Sequence, residues 1–469
     1  MARVVFVQTE WFEHLGVLYL ASAVKAAGHE AHLIFGRDPE MAVPRIVELA
    51  PDVVAFTATT GAHNASLRTA SALRPYFNGK IIMGGPHPTF FPEVVNEPCL
   101  DAVFRGEGEA GFPEMLSMLD RDEDWTSAPG VTAKIDDIEE DGAELVSDLD
   151  AIPFPDRGLL AEADPSWARV GMRRVMAGRG CPYGCTYCFN KALQELSRGK
   201  GPYVRIRSVE NVMAELNTLK EQGATTINFV DDSFGMKESW TLDLLDRYGH
   251  DIGLPFIVNL RPEQATPDTV DALKGAGCYC VQLGIESAVP RLRKEVLGRD
   301  LSNEIIEDAA RRIKSAKIRL LTYNMVGLPG ESLDEAAETL DLNGRLDVDY
   351  PRVSIFQPYP RTVLGDRVLG KEVINCGVED GVVSESYFRR SPLKGEDARR
   401  IENLQKFFAP YINIPRLRPF IRAITRVPAN PFFDLVFLIS IGIQYKGATN
   451  RSWKEMAVLG AKNLSAYFT

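Results

Sequence analysis

The sequence predicts an α/β protein: a doubly wound sheet of five parallel strands, then a partial barrel of six βα units, then a helical C-terminal segment. Three observations predict this. Short apolar runs alternate with helical patterns over residues 1–120. A second series of the same kind fills 170–360 and holds no glycine-rich dinucleotide fingerprint. Residues 390–469 are mostly helical in pattern. Strands that alternate with helices imply parallel sheets covered on both faces. A chain of 469 residues is also too long for one compact core. We expect a first domain at 1–125, a linker at 126–168, the barrel at 169–388 and a helical region at 389–469.

In the first half, Arg3–Gln8 reads as a buried strand, and Leu15–Ala27 has helical spacing and stops at Gly28. His32–Phe35, Asp52–Ala58, Lys80–Met83 and Ala102–Phe104 supply four more strands. Helical patterns near Val43–Leu49, Ala65–Tyr76 and Glu109–Leu119 lie between or after them. Residues 121–168 turn acidic and turn-rich, which suits a linker with a small hairpin.

The barrel strands are expected at Arg174–Ala177, Thr226–Val230, Phe256–Leu260, Tyr279–Leu283, Leu320–Val326 and Val353–Phe356. Each gap holds a helical pattern, such as Ser208–Gln222 and Asn303–Ser315. Barrel enzymes carry their chemistry at the carboxyl ends of the strands.

The net charge is −11, which excludes broad nucleic-acid binding, because that needs a basic face. Seven cysteines, an odd number unevenly spaced, do not form a disulfide framework and point to a reducing compartment. The N-terminus reads as no signal peptide, and no run of 18 apolar residues appears, so a cytoplasmic location is expected.

Cys181, Cys185 and Cys188 lie in the loop after the first barrel strand, where Gly180 and Gly184 let the chain fold back. Three thiolates in eight residues can wrap a soft metal centre. A four-iron cluster usually takes four cysteines, so three ligands leave one iron open. A structural zinc knuckle is the alternative. It needs a fourth Cys or His nearby, and His250 and Cys278 are far along the chain. Cys278 and Cys280 alternate on a strand and read as core.

This triplet, with Tyr187 before its last cysteine, resembles the radical S-adenosylmethionine superfamily over residues 170–360. The resemblance implies a 4Fe-4S cluster on Cys181, Cys185 and Cys188, and S-adenosylmethionine on the open iron. It also implies a 5′-deoxyadenosyl radical and an external electron donor such as flavodoxin or ferredoxin. The strand ends carry similar motifs. Asp231-Asp232 resembles the acidic turn that holds the cofactor's amino group. Asn259 and Arg261 end the third strand. Glu286 resembles the glutamate that meets the ribose hydroxyls. Gly327 opens a Gly-Leu-Pro-Gly turn at adenine. Tyr323, Asn324, Gln282 and Tyr359 line the cavity or pack beside it.

The strand ends of the first half carry Thr9, Thr57, Thr59, Gly84, Gly85, Glu107 and Gly108. Hydroxyls, backbone amides and a glycine pair at such ends suit a large, amide-rich ligand. Together these loops resemble the cobalamin-binding domain that precedes many radical S-adenosylmethionine domains. The best-known cobalamin domains place Asp-x-His-x-x-Gly after the first strand. Counting back from Gly16, those positions hold Trp11 and Glu13, with His14 one residue out of place, so the resemblance leaves the lower ligand of cobalt open.

Arg416, Arg418, Arg422 and Arg426 precede the apolar run Pro431–Ile443, which is too short to span a bilayer. The run either caps the barrel or lies on an anionic membrane surface. The whole pattern implies a cobalamin-dependent radical enzyme acting on a small molecule, and a membrane-facing tail would suit a lipophilic one. Its expected reaction is methyl transfer to an unactivated carbon or to phosphorus by way of methylcobalamin. Within the same architecture the alternative is radical cyclisation, rearrangement or oxidation of a tetrapyrrole or lipid. From another class, a non-catalytic iron–sulfur electron-transfer or sensor protein fits the triplet but not the acidic and glycine-rich loops around the barrel mouth.

Overall fold

The computed structural model describes residues 1–133, 144–369, 393 and 397–468; Cys376 and most of the acidic run at 136–144 lie outside them. The chain divides into two compact units. One is Met1–Val170 with Leu193–Arg207 and Ala457–Thr469; the other is Gly171–Ala192 with Ser208–Met456.

The first unit is built on β1 (Arg3–Gln8), β2 (Glu30–Phe35), β3 (Val53–Thr57), β4 (Lys80–Gly84) and β5 (Ala102–Phe104). A two-residue β6 (Val131–Thr132) completes the sheet, in the order β2-β1-β3-β4-β5-β6. The first five strands are parallel, and β6 runs antiparallel to β5. Runs such as VVFV and VVAF are apolar on both faces because a core lies on each side. Val4, Phe6, Val53 and Ile82 join one core; Val5, Val7, Val54 and Ile81 join the other. The strand beyond the five expected is too short to show alternation. It forms because Gly130, at φ 87°, turns the chain back, and its carbonyl accepts from Arg105 N at 2.8 Å. The order reverses between β1 and β3, which places a ligand crevice at their carboxyl ends.

The second unit holds β7 (Met172–Val175), β10 (Thr226–Phe229), β11 (Phe256–Leu260), β12 (Cys278–Glu286), β13 (Arg319–Val326) and β14 (Tyr350–Ile355). Two-residue β8 (Gly178–Arg179) and β9 (Arg205–Ile206) fall between them in the chain. The six longer strands form one parallel sheet, β14-β13-β12-β11-β10-β7, the predicted partial barrel. One sheet face meets the helices through Val175, Phe229, Val258, Leu283 and Leu320. The other carries Met172, Ile257, Cys280 and Leu321, with Ala448 packed among them. β12 runs on to Glu286 because a register shift between Gly284 and Glu286 keeps it paired.

Helix Pro431–Ala448 starts with Pro431 in its first turn, and the Asn430 side chain accepts from Phe432 N and Phe433 N at 3.1 and 3.3 Å. Its Phe433 and Phe437 pack edge-on against Phe407 and Phe408. Among the described residues, no helix is long and apolar enough to cross a membrane. The six described cysteines are all unpaired, and Cys278 and Cys280 are buried, as their alternation on a strand predicts.

Candidate functional site

The loop after β7 folds back at Gly180, at φ 84°. Cys185 is buried, while Cys181 and Cys188 are half-buried. The Cys188 amide donates to the Cys185 carbonyl at 3.2 Å, which closes a turn between two of the thiols. Thr186 anchors the loop from outside. Its amide donates to Leu297 O at 3.1 Å and its hydroxyl to Val296 O at 2.6 Å. Its carbonyl accepts from Leu364 N at 2.8 Å. Sequence reading missed Thr186, because its partners lie more than a hundred residues away.

Donors converge on two of the sulfurs. Arg261 Nη1 reaches Cys185 Sγ and Asn190 Nδ2 reaches Cys188 Sγ, each at 3.6 Å. The Arg261 guanidinium also lies over the Tyr183 ring, 3.6 Å from its centroid. Burial pushes the Cys181 and Cys188 thiols up, so a bound metal must supply the drive to deprotonate them. Among the described residues, no three His, Cys, Asp or Glu side chains converge on a point as a single-ion site requires. Thiolates on separate corners of an iron–sulfur cluster need no such convergence. The three thiols and their N–H donors therefore fit a cluster.

The predicted acidic turn splits into two roles. Asp231 is buried and already engaged: its carboxylate accepts from Gly178 N at 2.6 Å and Ala177 N at 3.2 Å. Burial pushes its pKa up to about 7, against those two hydrogen bonds. Asn259 is similarly occupied, donating from Nδ2 to Asp231 O at 3.0 Å. Asp232 is the carboxylate left facing the loop. Solvent reaches it, yet lost hydration still raises its pKa, and a hydrogen bond with Asn190 opposes the rise. Its negative charge acts on both Cys181 and Cys188.

Glu286 ends β12 at φ 68°, where a side chain costs on the order of 1 kcal/mol. The bulge aims it at Arg299 Nη1, 3.1 Å away, and it also hydrogen-bonds Tyr187. Arg299 Nη2 donates to Gly284 O at 3.0 Å, fixing the guanidinium on the same strand end. Burial raises the Glu286 pKa, and Arg299 and Tyr187 hold it down. Burial also drives the Tyr187 phenol well up. Arg299 was not legible as a partner in the sequence.

At the fifth barrel turn, Gly327 N and Leu328 N donate to Glu331 Oε2 at 2.5 and 3.0 Å. Burial pushes Glu331 up to about 8, and its Oε1 is a buried acceptor with no protein partner among the described residues. Gln282 and Tyr323 share the inward face of the sheet and bond to each other. Asn324 points the other way, into helix Leu333–Arg345, where Asn343 Nδ2 donates to its Oδ1 at 2.8 Å. It packs and does not line the cavity. Tyr359 stands 5.5 Å from the Phe189 ring.

In the first unit, Thr9 directly follows β1 and Thr57 ends β3, at the crevice, and Thr59 lies two residues on, half-buried. Gln8 donates to Glu10 O and Phe12 O, which leaves its buried Oε1 without a donor among the described residues. An amide-bearing ligand supplies such a donor. Gly85 is forced: at φ 99°, a β-carbon there would lie 2.9 Å from Ala58 O and 3.1 Å from Thr57 Oγ1. Gly84, beside it, has room. Gly108 is a packing glycine, with Leu20 and Phe104 about its missing β-carbon. Glu107 is held in a two-pronged pair with Arg205, both contacts 2.7 Å, and accepts from Val146 N at 2.6 Å. The crevice thus gathers Thr9, Thr57, Thr59, Gly84 and Gly85, while Glu107 and Gly108 brace the loop after β5.

Sequence reading missed two pairings here. His63 and His87 stack with centroids 3.6 Å apart at the ends of β3 and β4, and Thr60 Oγ1 contacts His87 Nδ1 at 3.3 Å. Where the histidine of other cobalamin domains stands, Glu13 is buried against Arg157 at 2.6 Å.

Comparison with known proteins agrees with both halves. The radical SAM superfamily model matches residues 175–342, and the B12 binding domain model matches 7–116. The chain is 32% identical to an uncharacterised methyltransferase of Pyrococcus horikoshii, over 77% of this chain and 79% of that protein. It is 24% identical to cytidylyl-2-hydroxyethylphosphonate methyltransferase of Streptomyces wedmorensis, over 78% and 74%. The structure of OxsB, a cobalamin-dependent S-adenosylmethionine radical enzyme, shares the fold at a TM-score of 0.69 and 15% identity, covering all of this chain and 75% of that one. The chain belongs to the cobalamin-binding radical SAM family: it is an enzyme, and its cofactors are a 4Fe-4S cluster, S-adenosylmethionine and cobalamin.

Proposed function

We propose that this enzyme is a methyltransferase acting on an unactivated carbon, or on phosphorus, of a small molecule. The observation that carries the radical part is the thiol loop at the carboxyl end of β7, with Arg261 and Asn190 donating to two of its sulfurs. Methyl transfer is supported by the Pyrococcus horikoshii relative, which carries that name. When bound, the cluster with S-adenosylmethionine supplies a carbon-centred radical, and cobalamin supplies the methyl group.

The chain's own residues hold and orient. Cys181, Cys185 and Cys188 ligate the cluster, and the Arg261 guanidinium offsets the charge of the Cys185 sulfur. Asp232 accepts hydrogen bonds from the amino group of S-adenosylmethionine. Asp231 holds the β7 turn through two backbone amides, and Asn259 braces it. Glu286 presents its carboxylate to the ribose hydroxyls, with Arg299 and Tyr187 favouring its charged form against burial. Gly327 brings backbone to the adenine. In the first unit, Thr9, Thr57, Thr59, Gly84 and Gly85 line the crevice that takes cobalamin. An external donor such as flavodoxin or ferredoxin supplies the electron in a reducing, cytoplasmic setting.

The test is an anaerobic incubation of the reconstituted enzyme with S-adenosylmethionine and a strong reductant. 5′-Deoxyadenosine and S-adenosylhomocysteine should both form, and neither should form with Cys185→Ala. 5′-Deoxyadenosine without S-adenosylhomocysteine would favour cyclisation or rearrangement. Neither product from the wild type would overturn the catalytic reading.

A further inference from the structure

We propose that helix Pro431–Ala448 is a membrane-surface docking element that seats this enzyme on anionic phospholipid. The inference is independent of the reaction proposed above.

The helix is apolar around its whole circumference, a composition that predicts burial on all sides. It is buried on one side only. Phe433, Phe437, Gln444 and Ala448 face the protein. Phe432, Leu435, Ile439 and Ile443 are 62%, 52%, 55% and 56% exposed. Their spacing of three, four and four residues places them on one stripe along the helix. No described residue covers that stripe. A soluble surface normally scatters exposed large apolar side chains singly, and a continuous row marks a contact.

Charge selects the occupant. The only acid of the helix, Asp434, lies off the stripe and pairs with Lys406 at 3.1 Å. The stripe ends at Lys446, a basic residue in the last turn. Before the helix, Phe420 and Val427 are also exposed apolar residues, set among exposed Arg416 and Arg426. Arg418 and Arg422 are held by Asp341 and Asp334 and belong to the fold. An acidic protein that gathers cations around an exposed apolar stripe matches a surface with an oily interior and anionic head groups. A protein partner or second copy does not require the cations. The helix cannot span, so it lies in the plane of the surface.

Flotation of the full chain with vesicles tests this. We expect the wild type to float with phosphatidylcholine–phosphatidylglycerol vesicles, less with phosphatidylcholine alone, and less at high salt. Leu435→Glu with Ile439→Glu should lower the bound fraction roughly tenfold. Arg416→Glu with Arg426→Glu should lower binding to anionic vesicles only. These side chains are exposed, so unchanged circular dichroism and iron content after reconstitution would show the variants intact. The proposal fails if the wild type floats with neither vesicle, or if the variants float like the wild type. It also fails if the wild type is a dimer that Leu435→Glu with Ile439→Glu makes monomeric while vesicles go unbound.

Discussion

Replacing Arg299 by methionine tests the reading of the Glu286 site. The Arg299 and Glu286 side chains are 3% and 13% exposed, and their charged atoms lie 3.1 Å apart. Removing the guanidinium leaves a carboxylate in a poorly solvated place with a hydrogen bond from Tyr187 and the more distant charge of Arg261. Stranding one partner of a buried pair costs about 3–5 kcal/mol. Glu286→Gln in the same chain removes the stranded charge, so the double variant should recover about 2 kcal/mol of that loss. The pH dependence has a definite sign. Burial already lifts the Glu286 pKa above its ordinary 4.5, and losing Arg299 lifts it further. A group raised in the folded state is stable below its unfolded value and loses stability as pH rises through the folded one. The Arg299→Met deficit should therefore grow as pH rises through the raised folded value and shrink below 4.5 toward the loss of the Gly284 hydrogen bond alone. Urea unfolding of the metal-free protein, followed by circular dichroism at several pH values, reads all of this. A loss under about 0.5 kcal/mol, or a double variant no more stable than Arg299→Met, would show that Arg299 does not neutralise a buried Glu286 charge.

Three further outcomes follow from geometry. Gly85→Ala should cost about 2 kcal/mol or more and weaken cobalamin retention on gel filtration. Gly84→Ala, whose β-carbon comes no nearer than 3.8 Å to Phe104, should cost much less. In Gly298→Ala the new β-carbon lies 2.9 Å from Thr186 Cγ2, at a residue with φ 64°. Iron content after reconstitution should fall, and adding Thr186→Ser, which removes that methyl, should restore part of it. His87 is pushed down to about 3 by burial first and His63 second, from an ordinary 6.5. Its neutral form stabilises the first unit above pH 6.5, and that contribution is lost as pH falls toward 3. His87→Gln should flatten the acid limb of the unfolding midpoint, and an unchanged limb would count against a buried neutral ring.

The parallel sheets were legible because their evidence is local. A run such as VVFV declares a strand buried on both faces, wherever the rest of the chain goes. The thiol loop was legible for the same reason: three cysteines and two glycines within nine residues are a complete pattern by themselves. The carboxylates behaved differently. Sequence placed Asp231, Asp232, Glu286 and Glu107 at strand ends alike, with nothing to rank them. The fold ranked them through partners far along the chain. Arg205 meets Glu107 across 98 residues, and Asp231 takes two amides 53 and 54 residues away. Asp232 is left facing the thiol loop, and Glu286 is held at a bulge by Arg299.

The C-terminal helix shows the same division. Its composition said apolar, and its length said too short to span. Only packing could say that one stripe of it is covered by none of the described residues. Periodicity, spacing and turn chemistry are properties of neighbouring residues, so one sequence determines them. Burial, pairing and exposure depend on what a distant segment brings alongside, so the tertiary structure alone decided which groups stay open to a ligand.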